Sequence, residues 1–331
     1  MRKVLHPIML LPALLFTFST CYAEIPRAPN GKPDFQGVWA NNSATPLERP
    51  AVFENRATLT DEEVAEYTAK HDELFTGGGE AAFGDDVFNS IINDDEEHES
   101  YDPDTGNYNH FWVVDREIEN RTSLIVDPPN GRLPPLTEDG TARDEAHAAY
   151  VVAHPSDSYT DRINSDRCIT YGMPFIAAGY NGYFQIAQSD NHVAIMQEMA
   201  HETRVIPVSG GQHLPAKVRQ WNGDSVGRWE GDTFVVETEN YSSKSSFMQR
   251  SALSLSLTEK FTLIDKETLQ WALTVSDPTT WVQPWTMVIN LKKSADAIYE
   301  YACHEGNMSM EGILAGARAE EAEANAAGGN E

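Results

Sequence analysis

Between residues 168 and 303 the chain repeats one pattern: short runs rich in β-branched and aromatic residues, each closed by turn residues. The runs are Tyr183 to Gln188, His192 to Glu198, Arg204 to Val208, Thr233 to Thr238, Leu253 to Ile264, Thr268 to Val275 and Trp285 to Leu291. Turn residues stand at Ser189-Asp190-Asn191, Glu230-Gly231-Asp232 and Asp265-Lys266-Glu267. Such connections are too short for helical crossovers, so neighbouring strands pair antiparallel. A sheet of that many strands curls into a barrel or splits into two layers. The expected fold is mainly β: an antiparallel, lipocalin-like barrel first, a sandwich second. A barrel of about eight strands has room inside for one small ligand. No repeat of fixed period is present.

The flanking sequence divides the rest. Residues 1–23 read as a signal peptide: Arg2 and Lys3, an apolar run from Ile8 to Phe18, then a cleavage site near Ala23. That run is shorter than the roughly 20 residues of a membrane-spanning helix. Lipidation at Cys21 is the rival reading, and Phe18-Ser19-Thr20 fits it poorly. Residues 24–108 read as an irregular N-terminal region with one helix, starting at Thr60 as N-cap with acids in its first turn and running to Leu74. Gly77-Gly78-Gly79 ends it, and Asp85 to Asp104 reads as an acidic, solvated loop. Asp102 to Asn107 hints at calcium but lacks the spacing of an EF-hand. Residues 109–310 form the antiparallel β domain. It opens with strands at His110 to Asp115 and Thr122 to Val126 and a helix from Glu138 to Ala149. Residues 311–331 read as a helical or disordered tail.

The formal net charge is −27. This excess opposes nucleic acid and anionic lipid, whose phosphates need a basic face. No segment after residue 23 is apolar enough for stable membrane insertion. With the leader removed, two cysteines remain, Cys168 and Cys303. In an oxidising periplasmic or extracellular compartment they are expected to form a disulfide.

Familiar catalytic signatures are missing. The sequence has no P-loop, G-x-G-x-x-G, H-E-x-x-H or C-x-x-C. Histidine is the side chain that titrates near neutrality, and the β domain holds His192, His201, His213 and His304. A bridge from Cys168 to Cys303 tethers His304 and Glu305 near Arg167 and Tyr171. These four, with His201, are the candidate acid–base groups; the alternatives are structural hydrogen bonding and transition-metal binding by the histidines. Arg228 and Glu230 share one face of any strand through them. On an inward face they would orient a ligand; on the outside they are a surface ion pair. Trp221, Tyr180 and Tyr301 complete the candidate substrate-binding set, within a larger group of aromatic residues that fills either a pocket or the core.

Several longer motifs resemble a known group. Gly31-Lys32-Pro33-Asp34-Phe35-Gln36-Gly37-Val38-Trp39, Arg121-Thr122-Ser123-Leu124-Ile125-Val126-Asp127-Pro128-Pro129 and Asp166-Arg167-Cys168-Ile169 are three. Gly223 to Thr233 (GDSVGRWEGDT) and Tyr299 to Asn307 (YEYACHEGN) are two more. Together they resemble a large group of secreted proteins from environmental bacteria, across nearly the whole chain. The resemblance implies secretion and a shared fold, and assigns a catalytic role to no residue here.

These readings converge on a cofactor-independent acid–base enzyme with a barrel pocket for a small, partly apolar molecule. It would be a lyase, isomerase, cyclase or hydrolase. His304 or His201 would move the proton, Tyr171 or Glu305 would be the partner acid, and Arg167 or Arg228 would hold negative charge. The alternatives are a non-catalytic periplasmic binding protein, a carbohydrate-active protein stacking sugars on Trp281 and Trp285, and a metalloprotein.

Overall fold

The computed structural model describes residues 25–75, 81–93, 113–172 and 174–328, except the side chains of His201 and Ser251. The expected signal peptide, the Gly77 to Gly79 break, the Asp102 to Asn107 loop and His110 to Trp112 lie outside the described residues. The strands are β1 Gly37–Ala40, β2 Ile125–Asp127, β3 Tyr183–Gln188, β4 His192–Gln197, β5 Thr203–Pro207, β6 Asp224–Glu230 and β7 Thr233–Glu239. After them come β8 Ser246–Phe247, β9 Arg250–Ser251, β10 Ser256–Leu263, β11 Thr268–Ser276 and β12 Trp285–Ser294. All but β8 and β9 belong to one antiparallel sheet in the order β5-β4-β3-β1-β12-β11-β10-β7-β6, with β2 added against β12.

The sheet is a nearly closed barrel. Its inward face follows a period of two: Leu257, Glu259, Phe261 and Leu263 on β10, Leu269, Trp271, Leu273 and Val275 on β11, and Trp285, Met287, Ile289 and Leu291 on β12 are buried. Edge strands β5 and β6 lie side by side at the seam. There the Gly210 N–H donates to the Gly227 carbonyl at 3.0 Å. Gly227 lets the seam close: a Cβ there would stand 2.5 Å from Phe234 Cζ and 2.9 Å from Ile206 Cγ2.

Side chains fill the barrel's centre. Between Phe184, Arg204, Phe261 and Trp271 a void of about 10 Å³ remains, room for one water at most. This stretch of the lumen is core and holds no drug-sized ligand. It also holds an ion pair: Arg204 Nη2 donates to Glu259 Oε1 at 2.9 Å, and Arg204 Nη1 donates to Glu259 Oε2. The Glu259 side chain is wholly buried.

The N-terminal region packs around a second, smaller core of Phe53, Leu59, Phe75, Val87, Phe88, Ile91 and Ile118. Helix α1, Asp61–Leu74, starts at a capping box in which Thr60 and Glu63 satisfy each other's backbone N–H. The acidic stretch from Asp85 corrects the expectation of a solvated loop: Asp86–Asn93 is a helix, α2. Val87, Phe88 and Ile91 lie on one face of it and are buried, because apolar residues three and four apart outweigh the acidic composition around them. The strand expected up to Asp115 is not formed at residues 113–115; Val114 instead donates a single backbone hydrogen bond to Gly179. Helix α3, Glu138–Ala153, starts at the expected Glu138, with Thr137 as its N-cap, and runs on past the expected end at Ala149; the tail is helix α4, Ser309–Gly328.

Candidate functional site at the loop-rich end

The two ends of the barrel differ. Short turns after β3, β6 and β10 crowd one end. The other end lies at Ala40, Tyr183, Gln197 and Thr203, as the registers Ala40↔Tyr183, Phe184↔Gln197 and Met196↔Thr203 require. From this end leave the connection from β1 to β3, the loop from β7 to β10 and the loop from β11 to β12. Loops held by a rigid sheet are where binding and chemistry concentrate.

Three covalent or polar ties gather these loops. Cys168 and Cys303 are joined by a disulfide, Cα–Cα 5.7 Å. It brings Tyr171 and Tyr301 together: their hydroxyls are 3.0 Å apart and their rings meet edge-on, with centroids 5.7 Å apart. Both rings are half-buried. Beside them Glu202, after the 3₁₀ turn Met199–His201, collects donors from three segments. Its Oε2 accepts from Thr170 Oγ1 at 2.7 Å, Gln197 Nε2 at 3.3 Å and Tyr171 N at 3.4 Å; its Oε1 accepts from Asn222 Nδ2 at 2.6 Å. Glu198 is buried and accepts from Tyr299 N at 3.2 Å, pinning the C-terminal segment to the same end.

The expected site residues separate accordingly. Tyr171 and Tyr301 meet. Arg167 lies over the Tyr159 ring at 5.3 Å, a cation–π contact. His304 and Glu305 follow the disulfide but are exposed. His201 occupies the turn before Glu202, and its side chain is not among those described. Tyr180 meets Phe83 edge-on at 6.5 Å. Trp221 is 38% exposed, and its carbonyl accepts from Ser245 Oγ.

Two open alternatives are decided. Arg228 and Glu230 lie outside the barrel: Arg228, 41% exposed, pairs with Glu230 at 2.8 Å and with Glu237 at 2.8 Å. Glu237 on the neighbouring strand holds it there, so an inward ligand-orienting role is lost. Trp281 and Trp285, at 3% and 0% exposure, are core and offer no stacking platform to a sugar. Among the described residues no group of three His, Cys, Asp or Glu converges to hold a metal ion. His213 shows why: its two ring nitrogens face different carboxylates, Asp224 at 3.1 Å and Glu239 at 3.4 Å.

Comparison with known proteins gives no family. No family model, no curated protein and no solved structure matches the chain. Glu202 and Asn222 were not foreseen at the loop-rich end. Their signal is long-range: Thr170 is two residues past a bridged cysteine, but nothing local says that Asn222 reaches the same carboxylate.

The arrangement can move a proton. One phenol of the couple donates to the other, so a proton donor and an acceptor stand side by side there. Glu202, met by donors on both oxygens, holds the loops in place. No helix among the described residues is long and apolar enough to cross a membrane.

Proposed function

We propose that the protein is an exported acid–base enzyme, working without a cofactor, on a small and partly apolar molecule held at the loop-rich end of the barrel. The reaction class is a lyase, isomerase or cyclase step, or a hydrolysis. The Tyr171–Tyr301 hydroxyl couple carries this reading: two half-buried phenols at 3.0 Å, fixed by a disulfide and by the Glu202 network. Tyr301 or Tyr171 gives the proton and its neighbour stabilises the charge left behind. Export is supported by the disulfide, by the leader-like N-terminus and by the resemblance to secreted bacterial proteins.

A second reading, a non-catalytic periplasmic binding protein, is favoured by one observation. Glu202 is already saturated with donors, and His304 and Glu305 stand in solvent, so the described part of this end offers no ready base. Turnover screens over terpenoid, aromatic and polyketide-like compounds separate the two. On a converted compound, Tyr171→Phe and Tyr301→Phe are expected to lower kcat by about 10²–10⁴-fold with KM little changed. Unchanged kcat in both variants would remove the couple from the chemistry.

A further inference from the structure

Three side chains from separate segments meet at the loop-rich end in an arrangement that suits a reaction among themselves. Thr170 stands just after the bridged Cys168, Glu202 just before β5, and Asn222 just before β6. Glu202 Oε2 accepts from the Thr170 hydroxyl at 2.7 Å, and Glu202 Oε1 accepts from Asn222 Nδ2 at 2.6 Å. The third side closes too: Thr170 Oγ1 and Asn222 Oδ1 are 3.1 Å apart. Thr170 is buried, and the other two are half-buried.

The third contact is not an ordinary hydrogen bond. A hydroxyl carries one proton. The carboxylate, charged and nearer, takes it, so Thr170 turns a lone pair toward the amide. The Gly172 N–H, donating to Oγ1 at 2.9 Å, fixes that oxygen in place. Asn222 is held as well. An ionised carboxylate only accepts, so Glu202 keeps Nδ2 on its own side and leaves Oδ1 facing Thr170. The amide carbon Cγ lies one C=O bond, about 1.2 Å, from that oxygen. A hydroxyl nucleophile, a base within hydrogen-bond reach of it and a carbonyl carbon beside it are thereby assembled. The other donors to Glu202, Gln197 Nε2 at 3.3 Å and Tyr171 N at 3.4 Å, are farther away. A carboxylate closed to an outside substrate is thus open to an exchange between its two nearest partners.

We propose that Thr170 and Asn222 join through an intramolecular ester, with Glu202 as its catalytic residue. Thr170 Oγ1 attacks Asn222 Cγ and gives its proton to Glu202 Oε2. The tetrahedral carbon then breaks its bond to Nδ2, which takes a proton from the Glu202 carboxyl and leaves as ammonia. One C–O bond forms, one C–N bond breaks, the carboxylate is regenerated, and no oxidant or cofactor is consumed. Loss of ammonia makes the step one-way, and burial of Thr170 shields the product from water. The ester locks the segment beside the disulfide to the start of β6, a second covalent tie at this end of the barrel. It is independent of any turnover at the tyrosine couple.

Peptide mass spectrometry of the full chain, reduced and alkylated before trypsin, tests it. Thr170 falls in the fragment Cys168–Arg204 and Asn222 in the fragment Gln220–Arg228. In the wild-type chain the two are expected to be joined, at the sum of their masses less one ammonia, and to separate in hydroxylamine. Thr170→Ser keeps the hydroxyl and the link; Thr170→Val loses both. Glu202→Gln removes the base and is expected to slow linkage by about 10²-fold or more. Should these variants fail to fold, the wild-type fragments decide alone. Separate wild-type fragments of full mass would overturn the proposal. So would ammonia lost within the 220–228 fragment alone, which marks closure of Asn222 on the Gly223 nitrogen, or a link formed as fast in Glu202→Gln.

Discussion

Arg204 and Glu259 put a charge pair where the alternation of the sheet asks for apolar side chains. Burial works against the Arg204 charge and Glu259 more than restores it, so the two are interdependent. Glu259→Gln, which leaves the guanidinium buried and unpaired, is expected to cost about 3–5 kcal/mol in urea denaturation. Replacing both together, Arg204→Met with Glu259→Leu, should recover most of that loss. A double variant as unstable as the single one would contradict the pair's isolation. This site was legible and passed over: Arg204 shares parity with Ile206, and Glu259 sits between Leu257 and Phe261, so both were inward by period alone. Asp85 gives a second prediction. Burial, aided by the charges of Glu48 and Asp86, raises its carboxyl above the ordinary 3.8. The folded chain therefore holds that proton more tightly than the unfolded chain. Stability should fall as pH climbs from 3.8 through the raised value, and level off above it. Asp85→Asn is expected to flatten that part of the curve of Tm against pH; an unchanged slope would place its cause elsewhere.

At the scale of elements, the seam between β5 and β6 depends on Gly227. Gly227→Ala should destabilise by about 1–3 kcal/mol through overpacking against Phe234 and Ile206, read as a lower urea midpoint. A neutral result would mean the seam can spread at no cost. Legibility divides here by range. Strands β3, β4, β7, β10, β11 and β12 lie within a residue or a few of where alternation and turn residues place them, because those signals are local. Strand β1 was hidden in what reads as an arm. It has four residues, and its partners β3 and β12 lie far along the chain, so its signal is the pairing itself. Strand β6 carries a central glycine that weakens its pattern. Helix α2 was masked by its acidic neighbours, though Val87, Phe88 and Ile91 had already spelled out a helical face.

For the whole molecule, the proposed chemistry lies at one end of the barrel and a packed core fills the middle. The sequence foretold a mainly β barrel and the Cys168–Cys303 bridge, since composition, turn spacing and cysteine arithmetic act without knowledge of topology. It did not foretell that the described lumen would be packed, because pocket and core use the same aromatic residues and differ only in how they meet. The long loops converge on one end through contacts such as Glu202–Asn222 and Tyr171–Tyr301, which no local pattern encodes. The most direct test is a set of crystal soaks with phenol, cyclopentanol and acetone, mapping where small organic probes overlap. The predicted result is a shared cluster at the loop-rich end, against Tyr171 and Tyr301, with Trp271 and Arg204 unmoved. Probes that instead gather inside the barrel, parting Arg204 from Glu259, or at the short-turn end, would contradict the assignment of function to the loops.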